Sequence, residues 1–332
     1  ALFTKNSIEH SMNNQRIVLA SRPAAEPTTA NFRLEEVALA PLDDGQVRVK
    51  HHYLSLDPYM RGRMNDAKSY AQPQPLNETM IGGTVGEVVE SRNSKFAVGD
   101  KVVGMGGWQQ FSTASGKGDI SKVDTTHIPL SAYLGSVGMP GMTAWYGLMK
   151  ICEPKAGETV CVDAASGAVG SVVGQLAKLK GMHVVGIAGG VEKCAYVKNE
   201  LGFDDCIDYK AFPDPKAFYS ALKAVTPRGI DCHFENVGGT IMDAVMLRMN
   251  AFGRVAMCGM ISGYNGAPIP MMAPQLILQS RLKFEGFIVS EHMDLWPQGL
   301  AELGGYVASG KIKFRESIAD GLANAPQSFL DL

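Results

Sequence analysis

The architecture of this chain follows from one stretch, Thr159-Val-Cys-Val-Asp-Ala-Ala-Ser-Gly-Ala-Val-Gly-Ser-Val-Val-Gly174, continued by Gln175-Leu-Ala-Lys-Leu-Lys-Gly181. It begins with an apolar, β-branched run that is typical of a buried parallel strand. A turn of small residues follows, and apolar residues then recur at helical spacing up to a stop at Gly181. His183-Val-Val-Gly-Ile-Ala188 has the composition of a second strand. This order of elements places helix N–H groups above the turn, so the stretch predicts a dinucleotide pyrophosphate site.

The glycine pattern of this turn departs from G-x-G-x-x-G, because Ala165 stands at the first glycine position. Gly167, Gly170 and Gly174 remain in place. The alternative is that these glycines only allow the helix to pack closely on the strand. Because the strand, the helix and the second strand all occur in the expected order, the nucleotide site is favoured.

Length and composition restrict the class of protein. The 332 residues are enough for two domains, and 45% hydrophobic with 19% charged residues is ordinary for a soluble enzyme. The net charge of -2 gives no reason to expect nucleic acid or an anionic membrane as a partner. The six cysteines contain no C-x-x-C pair, which favours free thiols in a reducing compartment. With no run long enough to span a bilayer and no evident signal peptide, we predict a cytoplasmic protein.

The chain before the nucleotide stretch predicts a different kind of domain. Short alternating strands separated by Gly, Pro and Asp turns indicate an antiparallel, barrel-like β domain. After about residue 135 strands and helices alternate, which predicts an α/β fold with a doubly wound parallel sheet. Residues 1–11 are a possible leader or tag, with Met12 as the natural start. The predicted segments are therefore a β domain at 12–134, a Rossmann-type domain at 135–300 and a return segment at 301–332.

The end of the second strand indicates which dinucleotide binds. An NAD site usually carries an acid there, but this strand ends in Ile187-Ala-Gly-Gly190, with Lys193 just beyond. A cation without a nearby carboxylate favours a 2′-phosphate, so we predict NADP(H). Two alternatives stay open: Lys193 as a solvated helix residue, and Glu192 as a ribose-binding acid that would favour NAD.

No metal site is predicted. Zinc requires closely spaced Cys, His or acidic ligands, and the seven histidines have no such companions in the sequence. Each of them is interpreted as a surface or strand histidine; they are His10, His51, His52, His127, His183, His233 and His292.

Several motifs resemble the zinc-independent, NADPH-dependent alkenal/one reductases of the medium-chain dehydrogenase/reductase superfamily. The most specific is Leu56-Asp-Pro-Tyr-Met-Arg-Gly-Arg-Met64. The other matching stretches are Val137–Trp145, Ala164–Gly174, Glu235–Gly239, Cys258–Asn265 and Phe284–Val289. The resemblance runs from about Asn14 to the end and implies a GroES-like β domain beside the Rossmann domain. It also accounts for the missing zinc, because zinc-dependent relatives carry ligands at the segments here written 54–57 and 82–84. In the family the chain continues past Phe329 into a final strand, so we expect either a missing tail or a truncated protein.

Carried over position by position, the resemblance implies cofactor contacts of three kinds. The pyrophosphate would be faced by Gly167, Ala168, Val169 and Gly170. The adenosine half, with its 2′-phosphate, would be held by Gly189, Lys193, Tyr209 and Asn236. The nicotinamide end would be lined by Met139, Thr143, Cys258, Tyr264, Phe287 and Val289.

The implied reaction transfers hydride to the β-carbon of an α,β-unsaturated ketone or aldehyde without a metal. Neutral donors must then stabilise the enolate oxygen, and we expect Tyr264 to order the nicotinamide ribose and to help in this. A proton would reach the α-carbon from Tyr53, Tyr59 or water, since tyrosine suits proton donation at neutral pH. Ordinary packing at a strand end is the alternative for Tyr53 and Tyr59. Methionines such as Met60, Met64 and Met260 agree with a small apolar substrate, although core filling explains most methionines.

Two rival functions stay open at this point. The same scaffold could reduce quinones or carbonyls, or the chain could bind NADPH without catalysis. The resemblance also implies a homodimer, with a strand near Phe284–Ile288 pairing across the two-fold axis.

Overall fold

In the computed structural model, which describes residues 13–332, the alternating strands of the first third of the chain form two antiparallel sheets. β1 and β2 pair with each other, and the other five strands follow the order β6-β3-β4-β5-β7. The strands are β1 (Asn13–Leu19), β2 (Phe32–Ala38), β3 (Val47–Leu54), β4 (Thr84–Ser91), β5 (Lys101–Gly104), β6 (Phe111–Ala114) and β7 (Ile120–Lys122). A short helix, α1 (Tyr59–Arg63), follows β3. The predicted antiparallel β domain is confirmed.

The pairing of β3 with β4 in the five-stranded sheet is irregular. The register of this pair shifts twice, between Arg48 and Val49 and between His51 and Tyr53. A Cβ atom on Gly86 would lie 2.0 Å from the Lys50 carbonyl oxygen, so only glycine permits the contact. Irregularities of this kind bend a strand and help a sheet to curve into a half-barrel.

The second part of the chain forms a six-stranded parallel sheet in the order β10-β9-β8-β11-β12-β13. Its strands are β8 (Thr159–Val162), β9 (His183–Ala188), β10 (Asp205–Asp208), β11 (Ile230–Glu235), β12 (Met249–Met257) and β13 (Lys283–Gly286). Counted from β8 the order is 3-2-1-4-5-6, which is that of a Rossmann dinucleotide-binding fold. Val160 and Val162 of β8 belong to one apolar cluster and Cys161 to another, as expected when both faces of a sheet are covered. The predicted doubly wound α/β fold is confirmed.

Helices connect these strands. They are α2 (Met139–Tyr146), α3 (Gly170–Leu179), α4 (Val191–Asn199), α5 (Pro215–Val225), α6 (Gly239–Met246), α7 (Gln275–Gln279) and α8 (Trp296–Ala308). After α2 the chain continues directly into a π-helix, Gly147–Cys152. A Cβ atom on Gly147 would lie 2.4 Å from the Phe234 ring, so the absence of a side chain lets this turn sit on the core. Single-turn 3₁₀ segments occur at Thr29–Asn31, Leu130–Leu134, Tyr209–Ala211, Ile261–Gly263, Val289–Glu291, Met293–Leu295 and Leu322–Asn324.

The described chain divides into two compact units. The β unit consists of residues 13–134 and Ser317–Leu332, and the sheet unit of Gly135–Glu316. The predicted boundary at residue 300 therefore falls inside α8, and the return to the β unit starts at Ser317. The predicted leader at 1–11 lies outside the described residues. None of the helices within residues 13–332 is both long and apolar enough to cross a membrane.

The returning segment ends in α9 (Ala325–Leu330), which packs into the β unit. Phe329 is buried against Trp108, with ring centroids 5.7 Å apart and the planes at 72°. Trp108 also stacks on Phe32 at 5.3 Å. These aromatic contacts join α9 to β2 and to the segment between β5 and β6.

Candidate functional site

The turn between β8 and α3 has the geometry that phosphate binding needs. Gly167 and Ala168 are exposed at the turn, and α3 starts at Gly170, so the positive end of the helix dipole lies at this turn. A Cβ atom on Gly170 would lie 2.3 Å from the Ala164 carbonyl oxygen, so glycine is required there. Ala164 itself has a left-handed φ of 45°, which is uncommon for alanine and which the sequence did not indicate.

Gly174 has a different role from the two glycines of the turn. A Cβ atom on it would lie 1.8 Å from the Phe203 ring, so this position lets α3 pack closely against the segment that precedes β10. The packing interpretation of the glycine pattern therefore holds for Gly174. For Gly167, a Cβ atom would meet only the Ala164 oxygen at 3.2 Å, so packing does not explain that glycine.

A second group of predicted residues meets at the ends of β9 and β10. Asp208 pairs with Ala188, which places Gly189 beside Tyr209, and a Cβ atom on Gly189 would lie 3.1 Å from the Tyr209 hydroxyl oxygen. Lys193 is exposed in the first turn of α4. The structure thus brings together the strand ends and the helix turn that were predicted to bind the adenosine phosphate.

Two residues missed by sequence reasoning complete this region. The Asp208 carboxylate accepts hydrogen bonds from the N–H groups of Gly190, at 2.8 Å, and Lys210, at 3.0 Å. The sequence showed no acid at the end of β9. Asp208 is an acid in this region, but it lies at the end of the neighbouring strand β10, where its carboxylate holds two backbone loops together. The Lys210 Cε atom lies 3.0 Å from the position of a Cβ atom on Gly189, so a second lysine side chain lies at this end of β9. The sequence signal for both Asp208 and Lys210 was the segment Asp208-Tyr-Lys210 at the end of β10.

Four of the six residues predicted at the nicotinamide end share one apolar cluster of the sheet unit. Val289 is buried within it, and Met139, Cys258 and Phe287 pack against it. The Phe287 ring lies 5.4 Å from that of Tyr146, and the Val289 carbonyl accepts a hydrogen bond from the Trp296 indole at 3.1 Å. Each of these residues therefore packs in or against the core, and Val289 is the most fully buried of them.

Three polar side chains at this end have defined hydrogen bonds or protonation. Thr143 is buried and its hydroxyl donates to the Met139 carbonyl at 2.7 Å. Burial raises the pKa of the Cys258 thiol to about 12, so it stays neutral. The Tyr264 hydroxyl oxygen accepts a hydrogen bond from the Met260 N–H at 3.4 Å, which places it over the loop that follows β12.

A buried ionisable cluster lies beneath these loops and was not predicted. Asp163, at the end of β8, and His233 and Glu235, in β11, are almost inaccessible to solvent. His233 Nδ1 donates to the Cys161 carbonyl at 3.0 Å, and its Nε2 lies 2.8 Å from Glu235 Oε2. His233 is a strand histidine, as expected, but the expectation that it has no acidic companion is wrong. Glu235 lies two residues further along β11, and the parallel pairing of β8 with β11 brings Asp163 beside them.

The two carboxyl groups of this cluster hold the loops above them. Glu235 Oε1 accepts from the N–H groups of Val237, at 2.8 Å, and Gly238, at 2.5 Å. Asp163 Oδ1 accepts from the Asn236 N–H at 2.6 Å, and the Asn236 amide nitrogen donates to the Asp163 carbonyl at 3.1 Å. Asn236, predicted to lie beside the adenosine half, is thus fixed by Asp163.

The protonation of the two carboxyl groups in this cluster is coupled. Among the described residues, no N–H or hydroxyl group donates to Asp163 Oδ2. Burial, and then the charge of Glu235, raise the pKa of Asp163 well above its usual range, while the His233 imidazole helps to hold the pKa of Glu235 near 2 despite burial. A protonated Asp163 can donate from Oδ2 to Glu235, which gives that atom a partner. The ligand atoms lie within 4.8 Å of one another, but these hydrogen bonds already account for them without a metal ion.

The two tyrosines predicted to donate protons lie in the β unit. Tyr53 is 38% exposed near the end of β3. Tyr59 begins α1 and is half-buried against the cluster around Trp108, with the Arg63 guanidinium 5.9 Å from its ring centroid. Burial, with the nearby Asp57 carboxylate, raises the pKa of Tyr59, and burial raises the pKa of Asp57 to about 6. The Tyr59 hydroxyl is therefore protonated at neutral pH.

Two family models and several known proteins match this chain. The family model of the N-terminal domain of oxidoreductases matches residues 15–123, and the model described as zinc-binding dehydrogenase matches residues 168–304. The chain is 44% identical to the NADPH-dependent curcumin reductase of Escherichia coli (strain K12), over 98% of this chain and 94% of the relative. This chain belongs to the medium-chain dehydrogenase/reductase family.

Two further relatives place it within the family. It is 40% identical to the NADP(+)-dependent 2-alkenal reductase of Nicotiana tabacum, over 97% of this chain and 94% of the relative. The crystal structure of CurA from Vibrio vulnificus in complex with NADPH is 45% identical, with a TM-score of 0.89 over 95% of this chain and 94% of that chain. The chain thus falls in the enone reductase group of medium-chain dehydrogenase/reductases.

The zinc named in the second family description does not fit this chain at the positions that bind it in zinc-dependent relatives. Residues 54–57 read Leu-Ser-Leu-Asp and residues 82–84 read Gly-Gly-Thr, with neither cysteine nor histidine. Zinc sites in proteins are built mainly from thiolate and imidazole ligands. We therefore assign no chemical step to a metal.

Proposed function

We propose that this protein reduces the C=C bond of small apolar α,β-unsaturated ketones or aldehydes with NADPH, by hydride transfer to the β-carbon and without a metal. The observation that carries the proposal is the match of nearly the whole chain to reductases named for NADPH, curcumin and 2-alkenals. The structure supports it with a β8–α3 turn suited to a pyrophosphate and a cationic edge suited to a 2′-phosphate.

NADPH, when bound, would supply the hydride. In this proposal Gly167, Ala168, Val169 and Gly170 face the pyrophosphate, and the hydroxyl of Tyr209 and the ammonium of Lys193 bind the 2′-phosphate. A phosphate with two negative charges gains charge-assisted hydrogen bonds from such groups. Asn236, held by Asp163, would face the adenosine half.

The chain would stabilise the product side of the reaction with neutral groups. As the β-carbon accepts hydride, negative charge develops on the carbonyl oxygen of the substrate, and hydrogen-bond donors stabilise this charge. We assign that role to Tyr264, and the protonation of the α-carbon to Tyr53, Tyr59 or water. The raised pKa of Tyr59 keeps a proton available throughout the neutral range.

The role of Lys193 can be tested by its effect on cofactor choice. Lys193→Ala should raise KM for NADPH roughly tenfold, because it removes a charged hydrogen-bond partner of the 2′-phosphate, and should leave KM for NADH unchanged. Lys198→Ala is the matched control, since Lys198 lies on the same helix but pairs with Asp205 at 3.3 Å. Equal effects of Lys193→Ala on both cofactors would contradict the assignment.

The reaction itself is tested by following NADPH oxidation with enones, alkenals and quinones. The expected result is rapid NADPH-specific turnover of an enone, with the saturated ketone identified as the product by mass spectrometry. Preferential turnover of quinones would favour the rival reductase activity. Tight NADPH binding with no turnover across the panel would favour a protein that binds the cofactor without catalysis.

We also propose a homodimer in a reducing, cytoplasmic compartment. β13 pairs only with β12 among the described strands, so its other edge can accept a strand from a second copy. All six cysteines are free thiols, which suits a reducing compartment. Light scattering after size exclusion would give the mass; a monomer at micromolar concentration would contradict the dimer.

A further inference from the structure

Two cysteines lie in contact at the edge of the sheet unit. The sulfur atoms of Cys194, in α4, and Cys206, in β10, are 3.3 Å apart. A disulfide bond has a sulfur–sulfur length of about 2.05 Å, so the two atoms must approach by roughly 1.2 Å. Side-chain rotation with a small shift of α4 relative to β10 would accomplish this.

The pair is next to the residues assigned to the 2′-phosphate. Cys194 directly follows Lys193 in the first half of α4, and Cys206 precedes Asp208 and Tyr209 at the end of β10. A covalent bond between them would pull together the two elements whose ends form the phosphate-binding edge. Because Asp208 also fixes the Gly190 and Lys210 backbones, movement of β10 would reach both loops.

We infer that Cys194 and Cys206 form a site of reversible oxidation by hydroperoxides, and that the resulting disulfide weakens NADPH binding. One thiolate attacks the peroxide, its sulfur is oxidised to a sulfenic acid, and the O–O bond breaks with release of hydroxide. The second thiol then attacks that sulfur, forms the S–S bond and releases water. In total two thiols and one hydrogen peroxide give one disulfide and two waters. The effect on NADPH rests on the phosphate-binding roles assigned above, whereas formation of the disulfide does not.

The surroundings of the pair predict slow oxidation that accelerates with pH. Burial raises the pKa of both thiols. Asp208 and Asp205 on β10 act in the same direction, while Lys198 on α4 opposes the shift at Cys206. Since the thiolate is the reactive form, the pair should resist brief oxidation at pH 7 and react faster at pH 9. The Cys206 thiol donates a hydrogen bond to the Cys194 sulfur, which opposes the rise in the pKa of Cys194 and adds to that of Cys206, so Cys194 is the expected first target.

Disulfide formation can be tested directly by peptide mapping. Trypsin cleavage after Lys193, Lys198 and Lys210 places the two cysteines in separate peptides, 194–198 and 199–210. After treatment of the protein with hydrogen peroxide and alkylation of remaining thiols, we expect these peptides to be joined and dithiothreitol to separate them. If they stay separate at pH 9 while other cysteines become oxidised, the proposal is wrong.

The effect on the cofactor is measured by fluorescence titration with NADPH, without any substrate. Oxidised protein should bind NADPH at least about fivefold more weakly, with recovery after dithiothreitol. Cys194→Ser and Cys206→Ser should each abolish the peroxide effect, and Cys232→Ala, outside the pair, should retain it. Joined peptides with unchanged NADPH affinity would overturn the effect on binding. Loss of enone turnover has no bearing on either measurement, so failure of the proposed reaction would be recognised separately.

Discussion

Gly167 and Gly174 lie in one continuous segment, but glycine is needed at each of them for a different physical reason. At Gly174 the Phe203 ring occupies the place of a side chain, whereas at Gly167 the nearest atom is a carbonyl oxygen at 3.2 Å. Sequence spacing treats the two as members of one motif. The structure separates a glycine needed for packing from one whose exposed backbone is available to a ligand.

This difference predicts opposite phenotypes for two alanine substitutions. Gly174→Ala should lower the free energy of unfolding by about 2 kcal/mol, because the added methyl group overpacks the contact with Phe203. Gly167→Ala should leave that free energy within about 0.5 kcal/mol of wild type and weaken NADPH binding. Urea denaturation and NADPH titration on both variants provide the check. A destabilised Gly167→Ala protein with normal NADPH affinity would refute the assignment.

Tyr264 is the second residue whose role can be separated from packing. Tyr264→Phe should reduce kcat about fivefold, which corresponds to the loss of one hydrogen bond of about 1 kcal/mol. Since the hydroxyl accepts from the Met260 N–H, thermal denaturation must accompany the kinetics. Tyr219→Phe, on α5, is a control for loss of a tyrosine hydroxyl outside the proposed site. Unchanged kcat in Tyr264→Phe would remove this residue from the mechanism.

At the scale of elements, the parallel pairing of β8 and β11 creates the buried Asp163–His233–Glu235 cluster. The carboxyl group of Asp163 comes from one strand and the imidazole and second carboxyl group from the other. Ionising both acids without compensation would be costly in this environment, so one proton is retained on Asp163. The cluster then holds the loops that begin at Asn236.

The two acids should respond differently to amide substitution. Asp163→Asn should be tolerated, because an amide nitrogen can donate to Glu235 as the protonated carboxyl group does. Glu235→Gln should cost about 3 kcal/mol, since glutamine cannot accept from Val237, Gly238 and His233 together. Urea denaturation of both variants at pH 7 measures the difference, and equal destabilisation would contradict the assigned protonation.

The pH dependence of Asp163→Asn follows from the same assignment. A carboxyl group whose pKa is raised on folding favours the folded state most at low pH and loses this contribution as pH rises through its folded pKa. The wild type should therefore lose stability relative to Asp163→Asn between pH 4 and pH 9. For Glu235, with its pKa near 2, the contribution is instead present at neutral pH and declines below about pH 4.5.

At the scale of the whole molecule, the β unit is assembled from both ends of the chain. Phe329 and Ala325 of α9 are buried in the same cluster as Ile17 and Phe32, so residues 317–332 contribute to this core. The sheet unit is formed by one uninterrupted segment, Gly135–Glu316. The two units therefore depend differently on the end of the chain.

Phe329→Ala tests this arrangement. We expect the β unit to lose about 3 kcal/mol of stability, because the substitution removes a buried ring from its contacts with Trp108 and Phe32. Hydrogen exchange followed by mass spectrometry should show increased exchange in residues 13–134 and little change in 160–260. Leu332→Ala, at an exposed neighbouring position, is the control. Uniform acceleration throughout the chain would argue against separate units.

The sequence by itself determined the order and type of the main elements and the place of the nucleotide turn. These follow from local causes: β-branched runs, helical spacing of apolar residues, and glycines where a side chain cannot fit. The sequence did not indicate some of the short elements. β10 has four residues, too few for a periodic pattern, and the change from α2 to a π-helix at Gly147 likewise has no periodic signal.

Only the tertiary structure decided which distant residues share a site. Strand pairing brought Asp163 to His233 and Asp208 to the Gly190 loop, and the packing of α4 beside β10 brought Cys194 to Cys206. Side-chain spacing along the chain carries no information about such contacts, because they depend on the order of strands in the sheet. The physical reason is that proton sharing, loop anchoring and disulfide formation act over a few ångströms in space, whatever the distance along the chain.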